Sequence, residues 1–314
     1  MSDGANKKPH KTDEIKRTNA FMLLNLIYMI CANVIMSAVL SKLKTAPPDY
    51  IILIMTEIVM QLIPFAVYLS VTRKKIADVL SFKNPGVKNI LFVVGMALCV
   101  QPVMMLISAF SSLFYVNSVS EKVSGMYGGV FQTAVSILII SIVPAFFEEF
   151  VYRGVVFSGY KSAPIIAAAV VNGLFFGIMH VNPQQFLYAF ALGAVFSFVL
   201  YYSKSIITTM IFHFTVNAFQ SLLLAFAGPA SNSAGTAAAT AVSTMDVIRF
   251  LGYVSIVFIP LFALLYYKFV KYNRQSRQSR PITQGGECFS YKSVLSAPFF
   301  GVILLYILAM YIFY

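Results

Sequence analysis

The chain has 314 residues, 59% of them hydrophobic and 11% charged, with a mean hydropathy of +0.80. An ordinary water-soluble domain carries about 25% charged residues, so that class is excluded and the chain reads as an all-α, polytopic membrane protein. A formal charge of +12 raises the question of nucleic acid, but the basic residues stand in short segments between apolar runs. There they serve as topological anchors, and no nucleic-acid partner is expected.

In chain order, residues 1–19 form a basic tail with Lys7, Lys8, Lys11, Lys16 and Arg17. The run after it is long enough to span and shows no small-residue cleavage site, so it is expected to be retained. A helix needs roughly 20 apolar residues to cross the hydrocarbon core. Runs that meet this lie at about 20–41, 50–71, 90–115, 130–150, 164–181, 185–203, 206–226, 247–269 and 295–314. We therefore expect eight to nine spans in one transmembrane domain, 20–314, with a catalytic core at about 130–226. On the nine-span arrangement all Lys and Arg except Lys42, Lys44, Lys122 and Arg249 fall on one side, which places the N-terminus in the cytoplasm. Residues 228–246, rich in Ala, Ser and Thr, are expected to be a flexible outer loop, and 271–287 a basic linker attracted to anionic lipid. Cys31, Cys99 and Cys288 are scattered without ligand spacing, which favours neither a zinc cluster nor a disulfide framework. Glu57 interrupts the second run; joining a polar cavity is one reading, and a structural hydrogen bond to a neighbouring helix or a position near water is the favoured one.

The fourth run ends in FFEEFVYR, and an ionisable group in a membrane segment marks a functional site by default. Neighbouring residues of a helix point about 100° apart, so Glu148 and Glu149 face different directions. Glu149 and Arg153, spaced i,i+4, can form an ion pair. That leaves Glu148 without a local cation, as a candidate general base. His180 closes NGLFFGIMH with Phe176 one turn earlier, and His213 shares a face with Asn217 in IFHFTVN. A carboxylate, two imidazoles and a carboxamide fit amide hydrolysis, with Glu148 and His180 activating water and His213 and Asn217 stabilising the oxyanion. No serine or cysteine stands beside the histidines as a nucleophile, so direct attack by water is the economical reading. Straight helices ending at 150 and beginning at 164 would hold Glu148 and His180 apart. Either the fourth helix extends past 150, or the fifth begins within the protein or tilts, with Pro144 permitting a kink.

Read as EExxxR, FxxxH and HxxxN, the three motifs at 148–217 resemble the CPBP (CAAX prenyl protease and bacteriocin-processing, or Abi) family of intramembrane proteases, including type II CAAX prenyl endopeptidases. The resemblance implies catalytic roles for Glu148, His180, His213 and Asn217, with Glu149 and Arg153 supporting. It implies a peptide bond in a membrane-associated or lipid-anchored peptide as substrate, in a bacterial cell membrane. The family is often described as metalloproteases. Glu148, His180 and His213 are the ligand types of a catalytic zinc, but the same groups serve equally as base and donors without metal, and the HExxH spacing is absent. No organic cofactor is expected, and the oligomeric state is not legible. The rival classes are a non-catalytic immunity or scaffold protein and a proton-coupled transporter, which would also use buried Glu and His.

Overall fold

The structure is a computed structural model that describes residues 11–115, 123, 125–227, 243–276 and 289–313. Among these residues every regular element is helical. Seven helices are long and apolar enough to cross a membrane, and two shorter apolar helices, Ile165–Met179 and Ala297–Phe313, complete a bundle. The chain is an integral membrane protein whose outer surface is apolar, with Leu24, Val71, Leu91 and Tyr253 among the exposed side chains. Most of the loop expected to be flexible, up to residue 242, lies outside the described residues, as does Cys288.

Helix α1 (Lys11–Leu40) starts within the segment read as a tail. Helix α2 (Asp49–Glu57), a π-helical turn at Ile58–Leu62 and α3 (Ile63–Thr72) make up the second span. The turn has a local cause. In an i→i+5 pattern the Val59 carbonyl would be served by residue 64, which is proline and has no N–H to give. The Tyr28 hydroxyl of α1 donates to that carbonyl instead, at 2.9 Å. After the short α4 (Ile76–Val79), α5 (Val87–Ser111) starts at Gly86, whose φ of 75° suits glycine.

Helix α6 (Val130–Glu149) does not end at 150. It continues through a second π-helical segment, Phe150–Val156, into α7 (Phe157–Gly159), so the fourth span is Val130–Gly159, 30 residues long. This corrects the expected boundary and moves Glu148 and Glu149 from the end of the span to its interior. Within the π segment the Tyr152 carbonyl accepts the Phe157 N–H in i→i+5 fashion and the Asn172 side-chain amide at 2.6 Å, which ties the segment to the next helix. Arg153, counted among loop anchors from the sequence, is only 1% exposed. Its position inside a span rather than after one is the reason for that second correction.

Helix α8 (Ile165–Met179) is about 22 Å long at 1.5 Å per residue, short of the roughly 30 Å hydrocarbon core. Helix α9 (Pro183–Ser203) packs back on it. Its start is set by Asn182, whose Oδ1 accepts from the N–H groups of Gln184 (2.9 Å) and Gln185 (3.3 Å), with Pro183 at the first helical position. The two backbones touch through glycines. A Cβ on Gly173 would lie 2.5 Å from the Phe190 carbonyl oxygen, and one on Gly193 would lie 2.9 Å from the Gly173 Cα. Close approach through small residues is how helices associate where no hydrophobic drive exists between them. Helix α10 (Ile206–Ala227) then packs on α6 and α5. Helix α11 (Thr244–Ser276) lies along α5, where the Asn89 and Asn273 amides exchange hydrogen bonds at 3.2 and 2.7 Å. The chain closes with α12 (Tyr291–Val294) and α13 (Ala297–Phe313) against α1.

Candidate active site

The fourth, fifth and seventh apolar helices converge on one cavity of about 1370 Å³, and Glu148, His180, His213 and Asn217 all line it. Each arrives for a different local reason. Glu148 is carried by the last turn of α6 before the π segment, and only 12% of its side chain is exposed. His180 is the C-cap of α8, and its Nδ1 lies 2.7 Å from the Phe176 carbonyl oxygen one turn back. A carbonyl can only accept, so Nδ1 carries the hydrogen and Nε2 of the neutral ring keeps its lone pair. His213 and Asn217 sit one turn apart on α10.

Behind Glu148 lies a buried ion cluster. Glu149 Oε1 is 3.0 Å from Arg153 Nη1, with both side chains at 0% exposure. The guanidinium hydrogens do not line up on the carboxylate, so charge rather than hydrogen-bond geometry holds this pair. Arg153 also donates to the Gly193 carbonyl at 3.4 Å and lies 4.6 and 4.7 Å from the ring centres of Phe176 and Phe196. A cation between two aromatic faces is attracted by both quadrupoles. Glu149 does more than the sequence suggests, because its Oε1 also accepts from His213 Nδ1 at 3.2 Å. A histidine so oriented by a carboxylate has its tautomer and ring plane set. Its Nε2 then points to Glu148 Oε2, 3.8 Å away. That gap is too long for a direct hydrogen bond and is the kind a small molecule bridges.

Phe176 explains the FxxxH spacing physically. Its ring stands edge-on to His180 at 5.0 Å and to His213 at 6.0 Å while facing Arg153. Behind Asn217, Gln101 donates to the Val216 carbonyl at 3.3 Å and accepts from Gln220 at 3.4 Å, which makes a polar seam between α5 and α10.

Residues 130–219 match the model of the type II CAAX prenyl endopeptidase Rce1-like family. This segment is similar to that family. That segment contains Glu148, Glu149, Arg153, His180, His213 and Asn217. The chain is similar to "Putative membrane peptidase YdiL" of Bacillus subtilis (strain 168), 25% identical over 108 residues. That alignment takes in 34% of this chain and 44% of that protein, so the chain matches less than half of the relative's length. No solved structure matches the chain.

Sequence reasoning undervalued three groups around this site. Glu57 lines the same cavity, is buried at 8% exposure, and its Oε2 has no hydrogen-bond partner. Gln61 is also buried in the cavity wall, where Tyr152 is a neighbour in the lining. Phe196, on α9, completes the aromatic clamp. An isolated acid in an apolar run was the one available signal for Glu57; nothing in the sequence pairs Phe196 with Arg153. For a metal, the donor set is incomplete: among the described residues no three His, Cys, Asp or Glu side chains converge on one ion position. Glu148 Oε2 and His213 Nε2 approach each other, while His180 does not close a third side.

Proposed function

We propose that the chain is an intramembrane endopeptidase that hydrolyses a peptide bond in a membrane-associated or lipid-anchored peptide by direct attack of water. The observation that carries the reading is Glu148 Oε2, without a hydrogen-bond partner and 3.8 Å from His213 Nε2, whose other nitrogen is held by a fully buried glutamate. Glu148 is the base, and water occupies the gap between it and His213. His180, with its Nε2 lone pair, accepts the water's second hydrogen and orients it. His213 and Asn217 flank the oxygen that becomes negative as the carbonyl is attacked, and the Asn217 amide donates to it. Glu149, held against Arg153, fixes the His213 ring and leaves Glu148 free as base. Because the donor set for a metal is incomplete, no step is assigned to one.

The substrate side of the cavity suits a flexible apolar chain. Met29, Met60, Met104, Met105, Met126 and Met179 all line it. Methionine walls adapt to varied apolar shapes. The bacterial membrane setting and the cytoplasmic N-terminus belong to the same reading, supported by the distribution of basic residues.

The test is cleavage of an internally quenched, palmitoylated peptide by the detergent-purified full chain. Glu148→Gln should lower kcat by about 10²–10⁴-fold, the usual contribution of a general base. The folded fraction and melting temperature should stay as in the parent. Undiminished turnover by Glu148→Gln would refute the assignment. An immunity or scaffold protein that acts by binding alone would keep its cellular effect after this substitution.

A further inference from the structure

The site has a base, an orienting imidazole and an oxyanion donor, but its one proton source for the departing amine is the base itself, once it has taken a proton from water. His180 offers a lone pair, not a hydrogen, from Nε2. Asn217 can donate a hydrogen bond but not a proton. The fourth span therefore supplies no free acid apart from its base.

The second span brings one. Glu57 stands outside the 130–219 family segment, is buried, and has a carboxyl oxygen with no partner among the described residues. It lines the same cavity as Glu148 and lies within electrostatic reach of it. Both acids stand at the mouth of a π element. Glu57 directly precedes the π turn Ile58–Leu62, Glu148 lies one residue before Glu149, which directly precedes the π segment Phe150–Val156, and the two π elements pack on each other. Such turns cluster at functional sites because they re-aim side chains out of the helical register. Glu149 is held by Arg153 and His213, whereas Glu57 forms no ion pair among the described residues. Two neighbouring carboxyls cannot both hold a charge cheaply, which divides them into one acid and one base.

We propose that Glu57 is the general acid of the reaction, a role that rests on the hydrolytic reading above. Glu148 takes a proton from water as the water oxygen bonds to the carbonyl carbon and the π pair moves onto oxygen. As the oxyanion re-forms C=O and the C–N bond breaks, Glu57 gives its proton to the nitrogen, which leaves as a neutral amine. The proton on Glu148 then passes to Glu57, so both carboxyls return to their starting states with one water consumed.

The experiment compares the quenched palmitoyl peptide with its thiodepsipeptide, in which the scissile NH is replaced by sulfur. A thiolate leaves without a proton; an amine does not. In Glu57→Gln the loss of kcat on the amide should exceed the loss on the thioester by about 100-fold, the lower end of a general acid's contribution. Glu57→Asp, which keeps the carboxyl, should recover part of that ratio. Glu148→Gln should lose activity on both substrates. Equal losses on the two substrates in Glu57→Gln would show a merely structural role, and an unchanged amide rate would show that Glu148 returns the proton itself; either overturns the proposal. Retained activity of Glu148→Gln on both substrates would instead sink the hydrolytic reading, so the two failures are distinguishable.

Discussion

Val181 follows His180 with φ at 44°, in the left-handed region that a β-branched residue avoids. The strain sits where the chain must reverse within two residues, between the C-cap of α8 and the Asn182 cap of α9. Val181→Gly should relieve about 1 kcal/mol, visible as a higher melting temperature, while loosening His180 and lowering kcat. Glu149 shows the opposite economy. It is buried against Arg153 and His213, and Glu149→Ala leaves a guanidinium without its counter-charge. Breaking a buried pair from one side costs about 3–5 kcal/mol, so this variant should lose folded yield and melting temperature as well as turnover. Glu148→Gln should lose turnover alone. The contrast separates two adjacent carboxylates that composition and hydropathy treat alike.

At the scale of the elements, the α8–α9 hairpin carries the site because Gly173, Gly177 and Gly193 remove the side chains that would hold its backbones apart. Gly173→Val would drive its added Cβ and two methyl groups into the Phe190 and Ala194 backbone. Overpacking of this kind costs about 1–3 kcal/mol, and here it also displaces Phe176, the ring shared by His180, His213 and Arg153. The variant should lose activity out of proportion to its drop in melting temperature. The π turn of the second span depends on Pro64 and on Tyr28, whose hydroxyl serves the carbonyl that the proline leaves free. Tyr28→Phe should cost about 1 kcal/mol, with a change in amide cleavage if the aim of Glu57 depends on this turn.

In the whole molecule, a polar knot joins the first helix to the chain's last segment. The Asn19 amide donates to the Val294 carbonyl at 2.9 Å and to the Ser296 hydroxyl at 2.8 Å, and its oxygen accepts from Tyr160. Asn19→Leu orphans these buried groups, each worth about 1–3 kcal/mol. The expected result is faster protease cutting around residue 290 in detergent, with peptide cleavage reduced only in step with the folded fraction. Preferential loss of kcat would mean that the knot reaches the cavity.

The motifs EExxxR, FxxxH and HxxxN were legible along the chain because each is a local i,i+4 relation on one helix, and the apolar runs were legible because a bilayer demands about 20 such residues. Composition alone settled that the chain is a helical membrane protein. What the sequence could not decide was where helices end, since apolar side chains flank both sides of residue 150 and a π segment has no pattern of its own. Extending the fourth span to Gly159 is what carries Glu148 into the cavity with His180. The bond from His213 to Glu149, the clamp of Phe196 on Arg153 and the arrival of Glu57 beside Glu148 join residues 43 to 91 positions apart, and contacts at that range exist only once helices pack.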